Sequence, residues 1–270
     1  MTAVSFTAHL ASRAVILLGG PDWRGFLQGL ITQDVVTLAD GEARFAGLLT
    51  PQGRLLYDLF VIGRDDRCLI DCAAAQREAL IQRLTMYRLR AKVDIAASEM
   101  KVWASWGVET PRPGWSADPR LPSLGYRGYG VSADGSGRMA TEAEYRTFCL
   151  ALGVPGPEDW GLDATYPIEA NFDLLGGIDF KKGCFVGQET TSRMKRRGII
   201  KNRIVMIAFD GAPPDIGAEL LAGELRAGTA LSGEMGRAMA LVRLDRLDAG
   251  PLSLPDGRSW RPKLPAWMPL

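Results

Sequence analysis

Reactive side chains crowd together in one stretch of the sequence, Lys182-Gly183-Cys184-Phe185-Val186-Gly187-Gln188-Glu189. Cations beside a cysteine favour the thiolate over the thiol. Cys184, which follows Lys181, Lys182 and Gly183, is therefore the candidate nucleophile or redox group. Gly183 and Gly187 remove side chains on either side, so a ligand or another backbone can come close. Gln188 and Glu189 offer donors and acceptors just past the turn, and Glu189 suits a helix N-terminus. The plainer alternative is a glycine-bounded turn around a half-buried cysteine. Downstream run Arg193, Lys195, Arg196, Arg197, Lys201 and Arg203. Such a run attracts a polyanion, RNA or an acidic partner protein among the candidates, or else forms a solvated edge that keeps a strand from pairing with its neighbours. Aromatics suited to base stacking are missing from it, which disfavours RNA as a direct ligand.

Much other chemistry is excluded. His9 is the one histidine, so H-E-x-x-H metal sites are impossible, and Ser-His-Asp hydrolysis lacks its G-x-S-x-G elbow. No Walker pattern occurs. Gly135-Ser136-Gly137-Arg138-Met139-Ala140 is a degenerate G-x-G-x-x-A with no apolar strand before it, and it reads as a loop. The four cysteines, Cys68, Cys72, Cys149 and Cys184, are too scattered for a disulfide framework and contain no C-x-x-C pair. No metal-ligand set is expected, and a reducing cytoplasm is the expected location. The N-terminus lacks the basic-then-apolar layout of a signal peptide. No apolar run of ~18 residues occurs, so no spanning helix and no membrane partner are expected. Lys+Arg 32 against Asp+Glu 31 gives a net charge of +1, which excludes a globally basic nucleic-acid binder.

The elements that must position Cys184 read as follows. Ala14 to Leu18 is a short buried strand closed by Gly19-Gly20-Pro21. A helix then carries Trp23, Phe26, Leu27 and Leu30 on one face. Strands are expected within 53–63 and over 68–72, an amphipathic helix over 75–90, and one or two strands over 93–106. Residues 111–137, rich in Pro and Gly, read as a crossing segment between lobes. Thr141 and Glu144 make a capping box for a helix ending at Gly153. Beyond Arg203, short apolar runs between glycines predict a small β-barrel. Strands and helices mix without regular βαβ alternation, so the fold class is α+β. A length of 270 residues suits two or three domains. The expected divisions are an N-terminal α+β region over 1–110, a middle region over 111–200 that carries the Lys-Gly-Cys stretch, and the barrel over 201–270.

The stretch from Lys182 to Glu189, with Arg193 and Arg197-Gly198 behind it, resembles the signature of the YgfZ family. These are folate-binding proteins of iron–sulfur cluster maintenance, related to the aminomethyltransferase (T-protein) of the glycine cleavage system. Weaker similarity runs through residues 26–35, Thr50 to Asp58, Asp118-Pro119-Arg120 with Leu124 to Arg127, and Pro167-Ile168-Glu169. The resemblance implies a three-lobed, aminomethyltransferase-like fold around a central folate opening, with a C-terminal barrel and tetrahydrofolate or a derivative as cofactor. It implies that Glu169 holds the pterin edge, and that Lys182, Gly183, Gln188, Glu189 and Arg193 border the cofactor. Cys184 and Asp58 are the catalytic candidates. Where T-proteins carry paired aspartates this chain has Tyr57-Asp58, and a tyrosine is a poor base at neutral pH. The basic run gains a third candidate, the polyglutamate tail of a folate. Three functions compete: a folate-binding accessory factor for iron–sulfur client or assembly proteins, a folate-dependent one-carbon transferase, and a non-catalytic module whose basic edge holds a partner.

Overall fold

The computed structural model describes residues 4–108, 112–131, 137–198 and 200–269. The first ten strands are β1 (Phe6–His9), β2 (Arg13–Gly19), β3 (Ala43–Leu49), β4 (Leu55–Arg64), β5 (Arg67–Ala73), β6 (Asp94–Ser98), β7 (Val102–Trp106), β8 (Trp115–Ala117), β9 (Tyr126–Tyr129) and β10 (Arg138–Ala140). Then follow β11 (Asn202–Phe209), β12 (Glu219–Ala222), β13 (Leu225–Glu234), β14 (Arg237–Arg243), β15 (Leu252–Ser253) and β16 (Trp260–Lys263). The helices are α1 (Trp23–Gln28), α2 (Arg77–Arg88), α3 (Glu142–Ala151), α4 (Pro157–Trp160) and α5 (Gln188–Arg197).

The mixture is α+β, built on three sheets. The first has the order β3-β4-β5-β2-β6 and is antiparallel throughout. Its strand β4 is buried along nearly its whole length, because both faces are covered. Tyr57, Leu59 and Val61 pack with Trp23 and Leu27 of α1 and Leu80 and Leu84 of α2. The alternate residues Phe60 and Ile62 join Phe45, Trp106, Tyr145 and Phe172 in the central core. A period of two therefore puts Asp58 on the central side and Tyr57 under the helices.

The second sheet, β10-β1-β7-β9-β8, pairs β1 and β10 in parallel and the rest antiparallel. It corrects the reading of 111–137 as a crossing segment, since β8 and β9 are strands of this sheet. The strands are three and four residues long, too short for a periodic pattern, and Pro119 and Pro122 stand between them. The boundary at 110/111 and Gly135-Ser136 lie outside the described residues, whereas Arg138–Ala140, expected as loop, form β10 beside β1. The capping box of α3 forms as expected: Thr141 accepts from the Glu144 N–H, and Glu144 accepts from the Thr141 N–H.

The third sheet, β15-β12-β13-β14-β11-β16, curls until a bridge between Ser253 and Ser259 joins its edges, giving a nearly closed C-terminal barrel. Asp159 on α4 fastens it to the centre. Its carboxylate accepts from the Gly156 N–H at 2.8 Å, and from the Ser232 hydroxyl at 2.6 Å and N–H at 3.2 Å on β13. Burial raises this carboxyl to about 6 despite those donors. A folded value above the unfolded one favours the protonated folded state. The contribution is full below about 4 and is lost as pH rises through about 6. Denaturant midpoints of the wild type should therefore fall relative to Asp159→Asn, which does not titrate, as pH rises from about 4 to about 7. Parallel pH profiles of the two proteins would contradict this.

Candidate functional site

Where the sheets meet, charges are buried in pairs. Asp71 on β5 has no solvent exposure and accepts four hydrogen bonds. These come from Arg13 Nε at 2.7 Å, Arg127 Nη2 at 2.6 Å, Arg127 Nε at 3.2 Å and the Tyr129 hydroxyl at 3.0 Å. Arg13 also bonds Asp58 Oδ2 at 2.6 Å. Asp118 is bound by Arg120 through both carboxylate oxygens and approaches Arg127 Nη1 at 3.6 Å. Burial works against every one of these ions. For Asp71, the Arg127 and Arg13 guanidiniums outweigh burial and hold the carboxyl below its usual range. Arg120 does the same for Asp118. Burial also opposes the Arg13 charge, but Asp58 and Asp71 raise its affinity for the proton above the ordinary value. The Phe60 ring lies among the guanidinium carbons, with Arg127 at 3.8 Å, Arg120 at 4.9 Å and Arg13 at 5.4 Å from its centroid.

This cluster floors a cavity of about 710 Å³. Asp58, Phe60, Arg120 and Arg127 lie on one side, Tyr145, Leu150, Val154 and Trp160 on another, and Ser232 and Met239 of the barrel complete it. Asp58 Oδ1 takes no hydrogen bond from the described residues, whereas Oδ2 is held by Arg13. Cys149 also lines the cavity, but burial pushes its thiol up to about 11, so it is protonated at neutral pH. Burial likewise pushes Cys72 up to about 12 and Cys68 higher still.

The signature lies elsewhere. Lys182 reaches back to the turn after α1 and donates to the carbonyls of Gln28 at 2.8 Å, Ile31 at 2.6 Å and Gln33 at 2.8 Å. Burial lowers this ammonium to about 8, against the pull of Asp34 and Asp179. Val186 N–H donates to the Gly29 carbonyl at 3.1 Å. Gly187 takes a left-handed φ of +79° against the β3–β4 turn, where an added Cβ would lie 2.5 Å from Thr50 O and 3.0 Å from Gly53 Cα. Only glycine fits that contact. Between these anchors Gly183 and Cys184 are exposed, and a Cβ at Gly183 would meet nothing within 4 Å. Gln188 starts α5 and accepts from the Phe185 N–H. Glu189 is exposed in its first turn, where a carboxylate complements the helix dipole, and Arg193 is exposed one turn on.

Glu169 belongs to a third place. It accepts from Asn202 Nδ2 at 2.9 Å and from the Tyr166 N–H at 3.2 Å, in a hollow of about 420 Å³ shared with Met194, Arg197 and Lys201. Of the candidate catalytic and cofactor-binding residues, Asp58 alone lines the central cavity. Lys182, Gly183, Cys184, Gln188, Glu189 and Arg193 share one loop and helix, while Glu169 stands behind that helix. The ion cluster of Arg13, Asp71 and Arg127 went unread. Its signal was Asp71 inside the apolar run Leu69-Ile70-Asp71-Cys72, since a carboxylate in a buried strand must be paired.

Residues 201–270 match the CAF17 C-terminal β-barrel domain. Among curated proteins, the mitochondrial iron–sulfur cluster assembly factor IBA57 homolog of Pyricularia oryzae is 31% identical, over 89% of this chain and 72% of its own length. The homolog of Coccidioides immitis is 34% identical over 74% of this chain. The mouse mitochondrial factor is 28% identical over 93% of this chain and 81% of its own. The chain spans 56% of the Coccidioides protein, little more than half its length. In fold it is similar to the glycine cleavage aminomethyltransferase T of Bartonella henselae, with a TM-score of 0.79 over 98% of this chain and 87% of that one, at 17% identity. The relatives' mitochondrial location overturns the expectation of a cytoplasmic protein. Unpaired cysteines report a reducing compartment and do not distinguish one such compartment from another.

Proposed function

The chain belongs to the family of the iron–sulfur cluster assembly factor IBA57, and from that membership we propose that it assists cluster assembly in client or partner proteins through Cys184. One observation carries this reading: Cys184 is the exposed cysteine of the four, on a loop pinned on both sides. A pinned, accessible thiol can approach a cluster held by another protein and ligate one iron as a thiolate. Lys182 contributes by fixing the loop, because its ammonium is engaged with three carbonyls.

The second part of the proposal is a reduced folate in the central cavity. The residues fit such a group. Its volume lies in the ordinary range for ligand sites. Phe60 and Trp160 offer apolar rings, and Asp58 Oδ1 is free to accept from a pteridine N–H edge. Bound there, a reduced folate supplies an electron-rich ring. Arg13 holds Asp58 oriented through its Oδ2, and the barrel wall limits access of water. Asp58 also favours a second reading, folate-dependent one-carbon transfer. Tyr57 weighs against it, since its side chain is packed under α1 and α2 and cannot take the place of a second carboxylate.

Cys184→Ser should keep the wild-type melting temperature while cluster-dependent enzymes lose activity in cells that carry the variant as their only copy. Unchanged enzyme activity would overturn the thiol's role. For the folate, calorimetric titration with tetrahydrofolate should show Asp58→Asn weakened by about 1–3 kcal/mol, the cost of an unpaired donor in a closed site. A loss on Glu169→Ala alone would move the ligand to the smaller hollow.

A further inference from the structure

The end of α2 presents apolar side chains to solvent. Leu89 is 89% exposed and Met86 76%, the two highest values for large apolar residues in the described chain. Leu89 also has φ +46° and ψ −106°, a conformation that β-carbons resist. The strain persists because the surrounding turn is fixed. Ala91 N–H donates to Arg88 O at 2.8 Å, and Arg88 Nη1 donates to Val93 O at 3.3 Å. The Asp22 carboxylate accepts from the Lys92 N–H at 2.7 Å. Leu89 is therefore held outward by its backbone.

The charge around it has one sign. Residues 79–93 contain Arg83, Arg88, Arg90 and Lys92 and no acidic residue. Arg88, Arg90 and Lys92 are exposed. Of the flanking acids, Asp22 is engaged with the Lys92 backbone and Asp94 begins β6. We infer that this turn is a reversible anchor for an anionic phospholipid surface. Leu89 and Met86 enter the acyl boundary while Arg88, Arg90 and Lys92 meet headgroup phosphates, and half-buried Tyr87 lies at the level between. The shape favours lipid over protein. A stable protein interface of standard size buries about 800 Å² per partner on matched surfaces, and two apolar side chains on a turn offer far less. A bilayer needs no matched shape. Two apolar side chains with three cations give a weak, salt-sensitive association.

The test is flotation of the full chain with vesicles of phosphatidylcholine alone and of phosphatidylcholine mixed with phosphatidylglycerol. Binding is expected to the mixed vesicles only, and to fade as salt is raised. Leu89→Ser should weaken it roughly tenfold. Arg88→Ser with Arg90→Ser should weaken it and flatten its salt dependence. Removing equal charge from the barrel, Arg226→Ser with Arg261→Ser, should leave it unchanged. Leu89→Gly separates binding from folding: it relieves the positive φ, so the melting temperature should rise while vesicle binding falls. The proposal is overturned if the chain ignores the mixed vesicles, which would assign the turn to a protein partner. It is equally overturned if Leu89→Ser and Leu89→Gly bind like the wild type, or if the barrel variant loses binding as strongly as Arg88→Ser with Arg90→Ser.

Discussion

Asp71→Asn is expected to cost about 3–5 kcal/mol of folding stability, the range for breaking a buried ion pair by removing one partner. The side chain is fully enclosed and receives four hydrogen bonds from Arg13, Arg127 and Tyr129. Asparagine keeps the shape but loses the charge, and its amide group presents donors to donors. Arg127 is left with Asp118 at 3.6 Å, and Arg13 with Asp58. Arg13, Asp58, Asp71 and Arg127 lie on β2, β4, β5 and β9, so the loss falls on the joint between the first two sheets. An unfolding free energy from denaturant titration lowered by less than about 1 kcal/mol would contradict this account. The same pairs set the response to acid. With folded values held below the usual range, Asp71 and Asp118 contribute stability that is present above the unfolded value of about 4. It is lost as pH falls through their lower folded values. Asp71→Asn should therefore unfold with a shallower acid limb than the wild type.

Lys182→Met should lose about 3 kcal/mol, because three carbonyls give up a charged donor at 2.6–2.8 Å and the flexible replacement donates nothing. Water can partly replace the ammonium, since Lys182 is only half-buried. The local effect should exceed the global one. Amides from 183 to 187 should exchange much faster in the variant, and the Cys184 thiol should lose its fixed position. Hydrogen exchange measures the first, and the spread of conformers of a spin label on Cys184 measures the second. Unchanged exchange across the loop would mean that the Val186 and Gly187 contacts hold it alone.

Legibility in the sequence followed the reach of each interaction. Strand β4 was readable from its apolar run, and the capping box of α3 from Thr141 and Glu144, because both depend on neighbours in sequence. The side on which Asp58 lies was not, since a strand buried on both faces has no polar alternation to read. The three-residue β8 was hidden for want of length. Lys182 looked like a cation for the thiol or the cofactor. Its ammonium is instead taken by carbonyls some 150 residues away, which no local pattern reports. The exposure of Cys184 was likewise open between a reactive thiol and a half-buried turn. Glu169 and Asp58 were drawn to one ligand by resemblance, and they lie in separate hollows.

The three acceptors that hold Lys182 are main-chain oxygens, and so is the Gly29 carbonyl that takes the Val186 amide. Side chains at 28, 31 and 33 act on the thiol only through the path of that turn, which Gln28 clamps at Asp34 and Val35, Gln33 ties to Gly176, and Ile31 anchors from inside the core. The thiol's position is thus set at one remove, by whatever keeps that stretch of peptide backbone in place.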